Sequence, residues 1–278
     1  MNNVLQIPTL ANLLVECWRQ AESNLQINVQ RHCPGIGEEA ITQNFHAELS
    51  RSLSRASEAR KIERAFRNDL QTSFLRPGHN FEFDAKSVAR NLVADVTLHK
   101  RETEVQSGGD MGLLIIRPEL RLVHSSLQIS DHRRGLLAQA KLKGEKGWGS
   151  FTKNQEETLP QRLDYLTLLL YSYEDNARRN LRPFKWQLAQ GMSFKALKNC
   201  LKTGSFLNKL PSSQIISDLC KGRVGTGDDL TIDSVISPAW NPALVLRVHW
   251  PERGHPGSSV RVYSARQAKQ EAKAFVRH

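Results

Sequence analysis

The chain has 278 residues, of which 39% are hydrophobic and 24% charged, a composition typical of a globular protein with a sizeable core. An excess of 39 Lys and Arg over 28 Asp and Glu gives a formal net charge of +11, which favours a polyanionic partner, nucleic acid first. No apolar run approaches the roughly 18 residues of a membrane span, and the N-terminal residues lack the features of a secretory signal, so a cytoplasmic protein is expected.

The four cysteines fit that expectation. They are Cys17, Cys33, Cys200 and Cys220, and no two of them have Cys-x-x-Cys spacing. A zinc site is therefore not predicted, and free thiols in a reducing compartment are.

Three helices are predicted in the first 75 residues. The first covers residues 4 to 30, and a break at residues 32–37 separates it from a second, Glu38 to about Ser57. The second has one apolar stripe, formed by Ile41, Phe45, Leu49 and Leu53. The third, Glu58 to Leu75, is basic and polar.

Glu38 lies at the centre of that apolar stripe by angular position. A carboxylate there is costly unless it is paired or bound to a metal, so Glu38 is a candidate metal ligand. The alternative is a first-turn glutamate stabilised by the helix dipole. Glu39, about 100° around the helix, is the other candidate.

Two apolar segments further on predict strands that carry polar side chains. Asp110 comes directly before the run Met111–Ile116, and Gln139 and Lys141 lie two apart in the segment Leu136–Leu142. Side chains two apart on a strand share a face, so a paired neighbour would bring Asp110 beside them. A strand is also predicted within Val88–Lys100, and the connector from residue 117 to 134 has room for another.

These three side chains suit metal-assisted attack on a phosphodiester. The carboxylate of Asp110 is a direct ligand for Mg²⁺ or Mn²⁺, and Lys141 can position water or stabilise charge on the phosphate. Gln139 offers only a neutral carbonyl oxygen, which predicts weaker metal binding. The alternative is a strand-end aspartate beside an unrelated Gln and Lys.

Substrate contacts are predicted after the second strand. A helix is expected from Thr158 to Tyr173, with Gln161 and Tyr165 on one face toward the substrate, or else as the polar edge of a core helix. Lys143, Lys146 and Lys153 surround Trp148 and Phe151, a combination that indicates either a nucleic-acid groove or a solvated loop.

The last hundred residues carry weaker signals. Residues 177–235 alternate basic helices with breaks, and residues 236–265 resemble strands, followed by a short polar helix from Ala265 to His278. The glycine-rich segment Gly222–Asp229 lacks the Gly-Lys-Ser/Thr ending of a P-loop and is predicted to be a turn. No Gly-x-Ser-x-Gly occurs, so a serine hydrolase is unsupported.

The order of the polar motifs resembles that of the PD-(D/E)xK nuclease superfamily. These motifs are Glu38 or Glu39, then Gly109-Asp110, Gln139-Ala140-Lys141 and Gln161-x-x-x-Tyr165. The likeness is to its Mrr-like restriction endonuclease branch, in which glutamine often replaces the second acid. It covers about residues 36 to 176, with Gly109 where the family name has proline.

The resemblance implies an α/β fold with a restriction-endonuclease-like core, in which helices flank a mixed central sheet. It implies a Mg²⁺- or Mn²⁺-dependent endonuclease acting on DNA, in restriction or anti-phage defence. Asp110, Gln139 and Lys141 would be catalytic, and Glu38, Asp110 and Gln139 would bind the metal. Gln161 and Tyr165 would bind the substrate, together with Lys143, Lys146 and Lys153, which are chosen for their charge and not from the resemblance.

The expected organisation is an N-terminal helical segment (1–35), a nuclease-like core (36–176) and an α+β C-terminal extension (177–278). A homo-oligomer or an activating partner protein is expected, and no membrane partner. The competing interpretation is a non-catalytic nucleic-acid-binding or complex-assembly protein that keeps a nuclease fold, and an RNA-processing factor is a third.

Overall fold

The computed structural model describes residues 2–4, 8–58, 61, 64, 65, 68, 69, 93–98, 108–123, 126–207, 209–227, 245–249 and 259–263. It is an α/β structure in which helices flank a mixed sheet. Most of the predicted helix Glu58–Leu75 and all of the predicted helix Ala265–His278 lie outside these residues.

Two long helices, α1 (Pro8–Arg31) and α2 (Glu38–Glu58), pack together on one side of the sheet. The stripe predicted on α2 is buried, with Phe45 edge-on to Phe184 at 5.1 Å between ring centroids. Asp69, which is fully buried, caps α1 by accepting hydrogen bonds from the amides of Thr9 and Leu10, both at 2.8 Å.

A single sheet contains eight of the strands. It is ordered β1-β3-β4-β6-β7-β8, with β2 also paired to β3 and β5 to β4; β4 and β6 are parallel and the other pairs antiparallel. The bounds are β1 Asn2–Val4, β2 Val93–Leu98, β3 Met111–Val123, β4 Ser126–Gly144, β5 Gly147–Trp148, β6 Leu166–Tyr171, β7 Lys185–Leu188 and β8 Lys209–Pro211.

Both strands that carry the motif residues are confirmed, and so is the strand within Val88–Lys100. The connector between them forms no separate strand. Instead β3 and β4 continue through it as one long antiparallel hairpin that closes at the pair Val123 and Ser126.

The predicted helix Thr158–Tyr173 is wrong. A short helix α3 (Lys153–Thr158) is followed by a 3-10 helix (Leu159–Tyr165), and Leu166–Tyr171 is the buried strand β6. An apolar run bordered by polar residues gives nearly the same pattern for a buried helix turn and a buried strand, which explains the error.

The sheet separates two apolar cores. The larger is formed by α1, α2 and α5 (Ser212–Cys220), and the smaller by the 3-10 helix, α4 (Phe194–Thr203) and Phe151, which lies just before α3. Successive residues of β4 alternate between them: Ala138 and Ala140 face the larger core, while Leu137 faces the smaller.

A buried polar network ties α1 to the far end of the sheet. The indole N–H of Trp18 donates to Glu22 Oε1 at 2.9 Å, and the Ser212 hydroxyl donates to the same oxygen. The indole of Trp186 donates to Ser212 Oγ at 2.8 Å. Burial raises the pKa of Glu22 above its ordinary value, although these donors partly offset the effect.

The remaining described residues include a separate two-stranded sheet, β9 (Val245–His249) with β10 (Ser259–Tyr263), as the sequence predicted. The turn predicted at Gly222 is also confirmed, since residues 221–225 are turn and bend and Thr226 bridges to Gly135. Within the described ranges, no helix is long and apolar enough to cross a membrane.

Candidate active site

The candidate site lies where β4 continues beyond the start of β3. The last pair of the hairpin is Met111 with Ala138, so the amides of Ala140 and Leu142 point toward a position that β3 does not fill. Two carboxylates fill it. Asp110 Oδ2 accepts from Ala140 N at 2.6 Å, and Glu38 Oε2 accepts from Leu142 N at 2.5 Å.

Two glycines fix the position of Asp110. Gly108 has a positive φ of 73°, which favours glycine, and a Cβ at Gly109 would lie only 2.5 Å from Leu137 Cδ1. The chain therefore passes directly over β4 just before Asp110, whose amide then donates to Ala138 O at 2.9 Å.

The structure brings Glu38, rather than Glu39, to this site. Glu38 is half-buried at the first residue of α2, whereas Glu39 is exposed and accepts from Gln43 one turn along the helix. Thr42 also donates to the Glu38 carbonyl at 2.9 Å and lies 3.2 Å from the Tyr171 hydroxyl, which holds this end of α2 against β6.

Burial raises the pKa of Tyr171 well above its ordinary value, and the charges of Asp110, Glu38 and Glu22 add to the effect. The tyrosine is therefore neutral and serves as a hydrogen-bonding partner rather than as a base.

Gln139 and Lys141 share one face of β4, as the sequence predicted, and the structure turns that face toward α3. Both are buried, with exposed fractions of 1% and 4%. The Lys141 ammonium lies 5.3 Å from the centroid of the Phe151 ring, a cation–π distance that offsets part of its loss of hydration.

A residue that the sequence interpretation missed joins these side chains. Gln155, on the first turn of α3, is 3% exposed. Its Nε2 donates to Gln139 Oε1 at 3.0 Å, and its Oε1 accepts from Lys141 Nζ at 3.4 Å and from Thr152 N at 3.1 Å. The signal was present, because Thr152-Lys-Asn-Gln155 has the spacing of a capping box and predicts a helix start shortly after the motif strand.

The direction of this hydrogen-bond chain is fixed by its ends. Lys141 and the Thr152 amide can only donate, so Gln155 must turn its oxygen toward them and its nitrogen toward Gln139. Gln139 then accepts with its oxygen and donates with Nε2, which bonds to Asp110 Oδ2 at 2.6 Å and to Ala140 O at 3.1 Å.

The donor set therefore suits a divalent cation only in part. Asp110 and Glu38 supply the carboxylate oxygens that Mg²⁺ and Mn²⁺ prefer. Gln139, in this orientation, presents a nitrogen to Asp110 instead of an oxygen. Among the described residues, no group of three or more His, Cys, Asp or Glu side chains is placed to hold a metal ion.

Gly149 leaves room beside two of the charged groups. A Cβ at this position would lie 3.7 Å from Lys141 Cδ and 3.8 Å from Glu38 Oε2, both ordinary contacts. The loop after β4 therefore comes close to Lys141 and Glu38 without filling the space next to them.

The other predicted substrate contacts are spread over the surface and the smaller core. Gln161 is exposed on the 3-10 helix, and Tyr165 is buried in the smaller core. With three residues per turn, a 3-10 helix does not place residues four apart on one face, so the reason for pairing them is lost. Lys143, Lys146 and Lys153 are exposed, and Lys146 lines a cavity next to α4.

Comparison with protein-family models, curated proteins and solved structures finds no significant match to this chain.

Proposed function

We propose that the chain is a metal-dependent nuclease that hydrolyses phosphodiester bonds in DNA, built on a restriction-endonuclease-like core. The observation that carries the proposal is the meeting of Asp110, Gln139 and Lys141 at the end of two paired strands, with Glu38 joining from a helix. Restriction or anti-phage defence would be the setting of such an enzyme.

In this proposal, Asp110 and Glu38 hold Mg²⁺ or Mn²⁺. Their oxygens accept from alternate amides of β4, so both approach the same strand edge and their negative charges favour a cation between them. The bound cation would polarise a phosphate oxygen and lower the pKa of a water molecule.

Lys141 stabilises the negative charge that grows on the phosphate. Its ammonium is held by Gln155 Oε1 and the Phe151 ring, and its small exposure places it where the effective dielectric constant is low. Gln155 thus acts as a positioning residue, since it orients both Lys141 and Gln139.

A second candidate function is a DNA-binding or complex-assembly protein that keeps this fold without catalysis. The specific observation in its favour is the Nε2 of Gln139, which donates to Asp110 at 2.6 Å. That bond satisfies the carboxylate without a cation.

The deciding experiment measures cleavage of plasmid and single-stranded DNA with Mg²⁺ or Mn²⁺. Asp110→Ala and Lys141→Ala should each lower the rate about 100-fold or more, the usual cost of losing a group that stabilises the transition state. The matched controls are Asp164→Ala and Lys185→Ala, which remove an exposed acid and an exposed lysine.

Cleavage that is equal in all four variants would refute the assigned site. DNA binding without any cleavage by the wild-type chain, with either metal, would favour the second candidate.

A further inference from the structure

A cavity of about 890 Å³ opens beside the candidate site, between the loop after β4, α3 and α4. Phe151 belongs to both places, because it lines the cavity and lies 5.3 Å from Lys141 Nζ. Only the Phe151 side chain therefore lies between this part of the cavity and the proposed catalytic Lys141.

The lining of this cavity is strongly basic. Four lysines and one glutamate contribute to it, a surplus of three positive charges. Lys195, Lys198 and Lys202 are exposed and spaced three and four apart, so they form one row along α4. Glu156 pairs with Lys198 at 2.5 Å and neutralises only that lysine.

Aromatic side chains lie among these charges. Trp148 is partly exposed in the cavity wall and is held edge-on by Phe206, with 5.3 Å between ring centroids. Phe151 packs against Phe194 in a tilted arrangement, with 5.1 Å between ring centroids. A braced ring stacks on a planar ligand without losing rotational freedom.

We propose that this cavity binds a segment of single-stranded DNA and leads it to the candidate site. Lysines in a row suit a phosphate backbone, and an indole in a concave wall suits the face of an unstacked base, which a duplex keeps covered. The volume is in the range of about 300–1,000 Å³ typical of small-molecule ligand pockets, suited to individual nucleotides rather than to a double helix. This inference deepens the proposed function and rests on it for the choice of DNA.

The test uses the full chain with Asp110→Ala throughout, so that no cleavage disturbs binding. Fluorescence anisotropy follows a short labelled oligothymidylate over a range of salt concentrations. The cavity variant changes Lys195, Lys198 and Lys202 to Gln, and the control changes Arg19, Arg31 and Arg55, exposed on α1 and α2 at the other side of the sheet, to Gln.

Each phosphate contact on a single strand contributes about 0.7 to the slope of log K against log salt. Because Lys198 is paired with Glu156, the cavity variant loses the phosphate contacts of Lys195 and Lys202, and its slope should fall by about 1.4. The control variant should keep most of the slope that the Asp110→Ala chain shows without further changes. Trp148→Ala should weaken binding roughly 5- to 100-fold at constant salt, the range for one stacked base, and Trp148→Phe should restore most of it.

Equal slopes for the cavity and control variants would overturn the proposal. So would tighter binding of a duplex or of oligouridylate than of oligothymidylate, or equally tight binding of polyglutamate. The result is separable from the cleavage experiment: loss of binding in the cavity variant supports the cavity even if the chain cuts no DNA. Cleavage that depends on Asp110, combined with unchanged binding, rejects the cavity alone.

Discussion

Changing Gln155 to Glu should reverse the hydrogen-bond chain that ends at Asp110. The new carboxylate still accepts from Lys141 and from the Thr152 amide, but it can no longer donate to Gln139. The Gln139 oxygen would then face a carboxylate oxygen of residue 155, with no hydrogen between them. Gln139 can avoid this repulsion by turning its amide so that Nε2 faces residue 155. In the turned state its oxygen faces Asp110, and a cation between those oxygens becomes favourable.

The size of the effect follows from the buried groups involved. Without a cation, the buried side-chain oxygen of Gln139 faces another oxygen and has no donor. This loss should lower the free energy of unfolding by about 1–3 kcal/mol. A divalent cation at about 100 times its dissociation constant restores about 2.7 kcal/mol. For a chain of this length, 1 kcal/mol corresponds to roughly 2–4 °C in Tm, so the cation should raise Tm by about 5–10 °C.

The measurement is thermal unfolding with and without Mn²⁺. Gln161→Glu is the matched control, because it adds the same charge at an exposed position of the 3-10 helix. Gln155→Leu separates the effect of the Gln139 amide orientation from the effect of the added negative charge. It leaves the Gln139 amide able to turn but adds no carboxylate. We expect the Mn²⁺ shift of Gln155→Leu to exceed that of the wild type, although the variant is less stable without metal.

A Mn²⁺ shift in Gln155→Glu no larger than in the wild type would refute the reasoning. If Gln155→Glu shows the gain and Gln155→Leu does not, the added charge explains the result and the direction of the amides does not.

Two further predictions concern the packing that holds the site and the core. Gly109→Ala should destabilise the fold by about 1–3 kcal/mol in urea unfolding and displace Asp110, because its Cβ would lie 2.5 Å from Leu137 Cδ1. The control Gly149→Ala should change little, since its Cβ would make only ordinary contacts. Equal stability of the two variants would contradict the clash at Gly109. Burial raises the pKa of Glu22, so the stability associated with this carboxyl is fully present below the ordinary pKa of 4.5 and is lost as pH rises through the raised value. Glu22→Gln should therefore flatten the fall in unfolding free energy between acid and neutral pH, and an unchanged pH profile would exclude Glu22 as its source.

Much of the fold could be predicted from sequence because local patterns were strong. The four-residue spacing of the apolar stripe defines α2, and the alternation of Gln139, Ala140 and Lys141 assigns side chains to opposite faces of β4. The order of these elements also placed Asp110 next to Gln139. Where the pattern was ambiguous, at Leu166–Tyr171, the prediction failed, since a fully buried strand has no alternation to reveal it.

The sequence by itself determined which side chains are available: an aspartate after two glycines, a Gln-x-Lys strand, a glutamate at a helix start and a large excess of positive charge. Only the tertiary structure decided how they meet. Because β3 begins only at Met111, two β4 amides are left for Asp110 and Glu38, and the packing of α3 brings in Gln155 rather than Gln161. The physical reason is that hydrogen-bond direction depends on every member of a chain, so the donor role of Gln139 is set by Lys141 and Thr152 through a residue that no strand motif contains.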